Sequence, residues 1–242
     1  MGPFISNSSI SPTPSSKSGL INQLVESFEN KKNLQVQTIT LPTLRIIEKV
    51  AKEEIKNWIT FSTDGSVTLI GLEEAPVEAI SKSAIAIPIA GFEIKLWTNK
   101  KFRNRYSSLN SIENKTVLIT RNFHYTGFTK LQKELKFNKK SAPSLFSAVK
   151  MLISERTDFI IASAPTVFWN LDNLSLTESD LYPLELPEHL RLFSNIFIML
   201  DHKLPKTFID NFTNHIKIME NNGKLQKIRT KLNLQKPRVL TP

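Results

Sequence analysis

The feature that most constrains this chain is the alternation of strand-like and helix-like segments along its length. Residues 34–41 alternate apolar and polar side chains, as a half-buried strand does, and Pro42 and Thr43 then begin a segment of helical periodicity. Strands that alternate with helices form sheets covered by helices on both faces, so we predict an α/β fold with mainly parallel sheets. The predicted helices cover 20–30, the region from 42, 127–135, 144–153 (with Pro143 at its first position), 205–221 and a last helix to 232; the predicted strands cover 34–41, 59–61, 67–70, 84–89, 93–97, 116–120, 159–162 and 195–200.

The end of the chain departs from this alternation. One apolar strand, 195–200, is followed by a helix that begins at Pro205 and by a shorter amphipathic helix after Gly223. A single strand and two helices need another apolar surface to cover them. We therefore expect this segment to pack back against the first half of the chain.

The composition excludes several classes of protein and of site. The 242 residues include no Cys, which excludes disulfides, thiolate metal sites and Cys nucleophiles. The four His residues form no HxxxH or HxH pair, so we expect no His-rich metal site. No stretch approaches 18 uninterrupted apolar residues, the length that a membrane-spanning helix needs. The chain begins Met-Gly-Pro-Phe without a basic and apolar leader, so we expect either a cytosolic protein or a signal peptide that was removed or omitted.

No pattern in the sequence indicates catalysis. A nucleophile needs a base beside it, and no Ser–His or carboxylate pair has a recognisable spacing. We predict a protein that is not an enzyme and that uses no cofactor.

The positive charge is concentrated in part of the chain. The formal net charge is +10, and residues 95–140 hold 12 basic side chains against Glu113 and Glu134 alone. Such a segment either binds nucleic acid or another anionic surface or is a solvated basic face. Without a known nucleic-acid-binding motif beside it, nucleic acid is the less favoured partner.

Several short motifs occur in a defined order along the chain. They are Pro3-Phe4, 19–25, Leu41-Pro42-Thr43-Leu44-Arg45, Ile87-Pro88-Ile89, 109–117, 121–125, 151–161 and 223–228. Together they resemble the bacterial solute-binding protein family 3, the type II periplasmic binding proteins that include amino-acid receptors of ABC importers. In this resemblance, residues 41–45 correspond to the opening of the family's second helix and residues 87–89 to the segment before its hinge.

The resemblance implies two α/β lobes that are joined by a hinge and close on a ligand. Residues 1–93 and 197–242 would form the first lobe and residues 94–196 the second. It also implies a periplasmic monomer that delivers a small-molecule ligand to a membrane permease or signals to a sensor partner.

Departures from the family pattern narrow the ligand class. The Arg that holds the ligand α-carboxylate in this family corresponds to Ala79, and the Asp that holds the α-ammonium corresponds to Ser163. We therefore expect a small polar or anionic ligand other than a standard α-amino acid, or a copy that no longer binds ligand. The strand that precedes Pro3 in the family is missing, so we expect either a truncated chain or another segment in its place.

Two predicted strand ends provide the first candidate ligand residues. Arg45 begins a helix after a strand, where it either faces the ligand or forms an ion pair with Glu48 or Glu73. Arg121 and Asn122 follow a buried strand directly, at a position where the family binds a ligand carboxylate. In the same loop, Phe123 and Tyr125 either stack on a ligand ring or pack beneath the loop.

Four further residues complete the candidate ligand site. Phe4 corresponds to an aromatic residue that lines the family's ligand site. Trp169 is predicted to follow strand 159–162 by a short loop, where it either caps the ligand or belongs to the core. Glu74, in a loop, either accepts a ligand amine or is solvated, and the Ser163 hydroxyl lies at a strand end.

Overall fold

The computed structural model of the chain describes residues 20–32, 49, 52–63, 84–106, 108–121, 125 and 127–238. The chain forms two compact units, Met1–Gly91 with Asn195–Pro242 (unit 1) and Phe92–Ser194 (unit 2). The sequence prediction places the two boundaries between these units after residues 93 and 196, each two residues later than in the structure. The described strands are β1 (Ile59–Thr63), β2 (Ala84–Asn99), β3 (Thr116–Thr120), β4 (Asn138–Ala142), β5 (Phe159–Ser163), β6 (Leu181–Leu184) and β7 (Leu192–Asp201), and the described helices are α1 (Leu20–Lys32), α2 (Phe128–Leu135), α3 (Leu145–Ile153), α4 (Ala164–Asn173), α5 (Lys206–Asn221) and α6 (Lys224–Lys231).

In unit 1, the C-terminal helix α5 packs against α1, the first described helix. The Phe28 ring of α1 meets the Phe212 ring of α5 edge to face, with centroids 4.9 Å apart. The Ser27 Oγ and the His215 Nε2 of the same two helices are 3.2 Å apart. The contacting residues are 184 and 188 positions apart in the sequence, which agrees with the expected return of the C-terminal segment to the first half of the chain.

A buried ion pair fixes the last helix of unit 1. The Arg229 side chain is 2% exposed, and its Nε donates to the Ile89 carbonyl at 2.8 Å. Its guanidinium also lies 2.8 Å from the Glu220 carboxylate, which lowers the Glu220 pKa. Because a buried guanidinium is costly without partners, this network ties α6 to both α5 and β2.

The segment after α6 bonds to unit 1 at both places where the chain leaves or re-enters it. Gly91 and Gln235 exchange two backbone hydrogen bonds, of 2.9 and 2.8 Å. The buried Asn195 side chain donates to the Arg238 carbonyl at 3.0 Å and accepts from the Arg238 N–H at 2.9 Å. The C-terminal segment is thus bonded to β2 at Gly91 and to β7 at Asn195, close to the two boundaries between the units.

The unit 2 sheet has the order β6-β2-β5-β3-β4. Strand β3 pairs in parallel with both β4 and β5, whereas β2 is antiparallel to β5 and β6. In unit 1, β1 is antiparallel to β7. The α/β prediction is confirmed, but the described sheet is mixed rather than mainly parallel, because the long strand β2 runs against its neighbours.

Strand β5 lies in the core of unit 2. All five residues of β5 are buried and the first four are apolar, as expected for a central strand covered on both faces. Helices α3 and α4 cover the sheet face that includes Leu118 and Ile160. The Tyr106 ring packs on Phe159 of the other face, with centroids 4.6 Å apart.

Several local predictions need correction. Residues 84–89 and 93–97 belong to the single strand β2, since Pro88 and Gly91 do not interrupt it. Ser144 rather than Pro143 caps α3, because its Oγ accepts the Ser147 N–H at 3.1 Å. Strand β4, whose exposed Asn-Lys-Lys-Ser residues lack a strand pattern, and helix α4 were not predicted from the sequence. The predicted strands 34–41 and 67–70, and the start of the helix from 42, lie outside the described residues.

Candidate functional site

Three parallel strands of unit 2 end at one edge of its sheet, here called the carboxyl edge. Thr120, the last residue of β3, lies in register with Ala142 at the end of β4. Leu118 lies in register with Ile160, which brings the end of β5 to the same edge. Each strand leads into a helix, so the edge collects polar groups and helix N-termini, as ligand sites of α/β proteins do.

Arg121 is the first residue beyond β3 at this edge. Its backbone N–H donates to the Ala142 carbonyl at 2.8 Å, which fixes its position beside the end of β4. Its side chain is exposed, and within the described part of the chain it forms no ion pair. The structure therefore leaves its guanidinium available to an anion.

Ser163 ends β5 and is the residue before α4. It is buried, and its Oγ lies 2.8 Å from the Thr166 Oγ1, which also donates to the Ser163 carbonyl at 2.9 Å. Because the Thr166 hydroxyl donates to that carbonyl, the Ser163 hydroxyl donates to the Thr166 Oγ1. The first turn of α4 therefore fixes the orientation of both hydroxyl groups. No side chain caps this helix, and Pro165 removes one N–H from its first turn.

The start of α3 differs from the start of α4 in this respect. Ser144 caps α3 internally, and its Oγ is also 3.0 Å from the Ser147 Oγ. An internally capped helix has fewer N–H groups to offer a ligand. Each helix thus lacks one free N–H group in its first turn, α3 because of its cap and α4 because of Pro165.

Tyr125 and Trp169 are placed less directly at the edge. Tyr125 is half-buried, its carbonyl accepts the Phe128 N–H at 3.0 Å, and burial raises the pKa of its phenol. It therefore keeps its proton and is a hydrogen-bond donor. Trp169 lies within α4 rather than after a short loop, five residues past Ala164 and so about 7 Å along the helix axis.

Five predicted site residues, Phe4, Arg45, Glu74, Asn122 and Phe123, lie outside the described residues. The position of Thr166 in a first helical turn was not predicted, although Ser163-Ala164-Pro165-Thr166 directly after a buried strand is typical of a helix start. The Ser144–Ser147 pair, at the start of α3, was not predicted either. Within the described residues, no group of three or more His, Asp or Glu side chains is arranged to hold a metal ion.

The sequence by itself matches no protein-family profile and no curated protein. The structure, however, is similar to many solved ones. One is the GluR0 ligand-binding core in complex with L-glutamate, with a TM-score of 0.63, 12% identity and 89% of each chain covered. Another is an amino-acid ABC transporter substrate-binding protein from Streptococcus pneumoniae bound to L-arginine, with a TM-score of 0.62, 16% identity, and 93% of this chain and 87% of that one covered.

A third similar structure is a histidine kinase sensor domain with similarity to periplasmic binding proteins. Its TM-score is 0.61 at 11% identity, with 91% of this chain and 88% of that chain covered. The chain has the fold of the type II periplasmic binding proteins. The fold that the sequence motifs imply is thereby confirmed, at an identity low enough to make this a divergent example. No described helix is both long and apolar enough to cross a membrane.

Proposed function

We propose that this chain is a non-catalytic solute-binding protein for a small polar or anionic ligand. The observation that supports the proposal most directly is that Arg121 and the start of α4 lie at the same carboxyl edge. A guanidinium with no ion-pair partner among the described residues and the N-terminus of a helix both favour negative charge. Carboxylates and phosphate esters are the ligand classes that fit this arrangement.

A standard α-amino acid fits unit 2 poorly. The solved relatives include proteins bound to L-glutamate and to L-arginine. A ligand ammonium group needs a carboxylate to replace its hydration, and Ser163 provides an uncharged hydroxyl instead. We therefore expect ligands with a carboxylate or phosphate and no α-ammonium group.

We further propose that the protein acts outside the cytoplasm, as a monomer, with either an importer permease or a sensor protein as its partner. The similar structures include both a transporter substrate-binding protein and a sensor-kinase domain. Closure of the two units on the ligand stays a prediction. Small-angle X-ray scattering with and without ligand tests it, since closure reduces the radius of gyration.

The test is a thermal-shift screen of small carboxylates, phosphate esters, amines, sugars and free amino acids. A ligand that binds only the folded protein stabilises it by about 2.7 kcal/mol at one hundred times its Kd. We expect hits among the anions, and we expect Arg121→Ala to abolish them while Lys133→Ala, a matched change at another exposed basic residue of unit 2, preserves them.

Other outcomes of this screen contradict the proposal. Hits confined to free amino acids, or anion hits that Arg121→Ala leaves unchanged, would overturn the assigned ligand class or the assigned site. A cooperative melt with no hit would favour a copy that acts only through a protein partner. Binding of oligonucleotides that weakens steeply with salt would favour the alternative of a nucleic-acid-binding protein.

A further inference from the structure

The turn after β2 brings basic side chains to the opposite edge of the unit 2 sheet. Because β2 is antiparallel to β5, its last residues lie where β5 begins. Four of the six residues from 100 to 105 are basic, and all four are exposed. These are Lys100, Lys101, Arg103 and Arg105.

This turn is fixed against the turn that precedes β5. Lys101 forms an ion pair with Glu155, and the Tyr106 hydroxyl donates to the Asp158 Oδ1 at 2.7 Å. Arg156 lies between these two contact points in the sequence, and its side chain is exposed. It therefore belongs to the same surface. We call Lys100, Lys101, Arg103, Arg105 and Arg156 the basic edge.

Aromatic rings rather than carboxylates support two of these guanidinium groups. The Arg103 guanidinium lies 4.9 Å from the centre of the Tyr182 ring. The Arg105 guanidinium lies 5.7 Å from the Phe102 ring and 5.6 Å from the Tyr106 ring. A ring orients a guanidinium without neutralising its charge. Within the described ranges, no carboxylate lies in ion-pair distance of Arg103, Arg105 or Arg156.

The acidic groups nearby are already engaged. Glu155 pairs with Lys101, and Asp158 accepts the Tyr106 hydroxyl and the Thr116 N–H. Asp180 accepts the Thr177 N–H at 2.7 Å, and the charge of Lys100 contributes to its lowered pKa. The three arginines therefore present positive charge and free N–H donors to the solvent.

We propose that the basic edge binds an anionic phospholipid surface through the headgroup phosphates. Guanidinium groups match phosphate geometry, and clustered basic residues bind anionic membranes. Single-stranded nucleic acid fits less well, because it needs exposed rings on which bases stack. Here the Tyr106 ring is buried and the Phe102 and Tyr182 rings lie beneath guanidinium groups. The ligand-binding carboxyl edge lies at the other end of the sheet, so this inference does not depend on the proposed function.

The test is co-sedimentation of the full chain with vesicles of three parts phosphatidylcholine to one part phosphatidylglycerol. We expect binding that is absent with pure phosphatidylcholine and lost at high salt. Each basic residue near an anionic membrane strengthens binding by about five-fold. The Arg103→Gln/Arg105→Gln/Arg156→Gln variant is therefore expected to need at least ten-fold more lipid for half-maximal binding.

Two further variants separate a local site from overall charge. The Lys206→Gln/Lys217→Gln/Lys227→Gln variant removes the same charge from exposed helix positions of unit 1, and we expect less than a two-fold change. Replacing the three arginines by lysines keeps the charge and is expected to keep most of the binding. Melting temperatures of all variants establish that each is folded.

Three results would overturn the proposal. They are no binding of the wild-type chain to the anionic vesicles, an equal loss in the unit 1 control variant, and tighter binding of a single-stranded oligonucleotide than of the vesicles under the same salt conditions.

Discussion

The two edges of the unit 2 sheet hold their polar side chains in different ways. At the carboxyl edge, the hydroxyl pairs bond within their own helix turns, and the Arg121 side chain pairs with no described carboxylate. At the basic edge, Asp158 bonds to Tyr106 and Thr116, which lie 52 and 42 residues away in the sequence. The hydroxyl contacts of the carboxyl edge are thus local to single helix turns, whereas the contacts of Asp158 join segments that are distant in the sequence.

The largest effect is expected from Asp158→Ala. The substitution removes the partner of the buried Tyr106 hydroxyl and of the Thr116 N–H, so we expect a loss of roughly 3 kcal/mol in the free energy of unfolding. Urea denaturation measures it, and Arg156→Ala, an exposed neighbour, is the control. A loss below about 1 kcal/mol would show that Asp158 does not join these segments energetically.

The next effect concerns ligand choice at the carboxyl edge. Ser163→Asp places a carboxylate beside the start of α4, where it occupies the anion-binding position. Because Ser163 is buried, the desolvation of a carboxylate there is expected to lower the melting temperature even though Asp is a good helix cap. We expect affinity for anions to fall by at least ten-fold and affinity for amines to rise, measured by titration calorimetry. Unchanged anion affinity would place the ligand elsewhere.

A smaller effect on stability is expected from Ser144→Ala. The change removes the cap of α3, the Oγ that accepts the Ser147 N–H, and such losses cost about 1 kcal/mol. Thermal or urea unfolding measures the loss, and anion affinity is expected to stay within two-fold. If affinity fell further than that, α3 as well as α4 would face the ligand.

The smallest effect is a pH dependence that begins only in alkali. Burial and the Asp158 carboxylate raise the pKa of Tyr106 to about 12. The phenol loses its proton near pH 10 when unfolded, so its contribution to stability is present below pH 10 and is lost as the pH rises through about 12. Difference absorbance between wild type and Tyr106→Phe reports this phenolate. A midpoint near 10 would contradict the Asp158 contact.

Sequence reasoning found the elements whose pattern is local. Strand 116–120 was predicted to the residue, and the helices near 20–30, 127–135 and 205–221 are confirmed within two residues, because apolar spacing and turn residues determine them. Strand β4 was missed because its exposed residues gain stability from pairing with β3, which no local pattern reports.

The site was predictable only in part, for a related reason. Arg121 and Ser163 follow apolar strands, so their positions at strand ends could be inferred. Trp169 was misplaced because Pro165 was not recognised as a residue of the first helical turn. The role of Thr166 depends on the hydroxyl geometry of that turn, and the aromatic support of Arg103 depends on Tyr182, which is distant in sequence.

The bonds that residues 235–238 make to Gly91 and Asn195 also determine the order in which the chain can fold during synthesis. Unit 2 is continuous in sequence, so all of it has been made once Ser194 has been added. Unit 1 lacks α5, α6 and the hydrogen bonds of residues 235–238 to Gly91 and Asn195 until residue 238 has been made. That takes a few more seconds at ribosomal rates. The growing chain therefore contains a complete second unit while the first is still unfinished, so unit 1 can complete its folding only after unit 2 has been made.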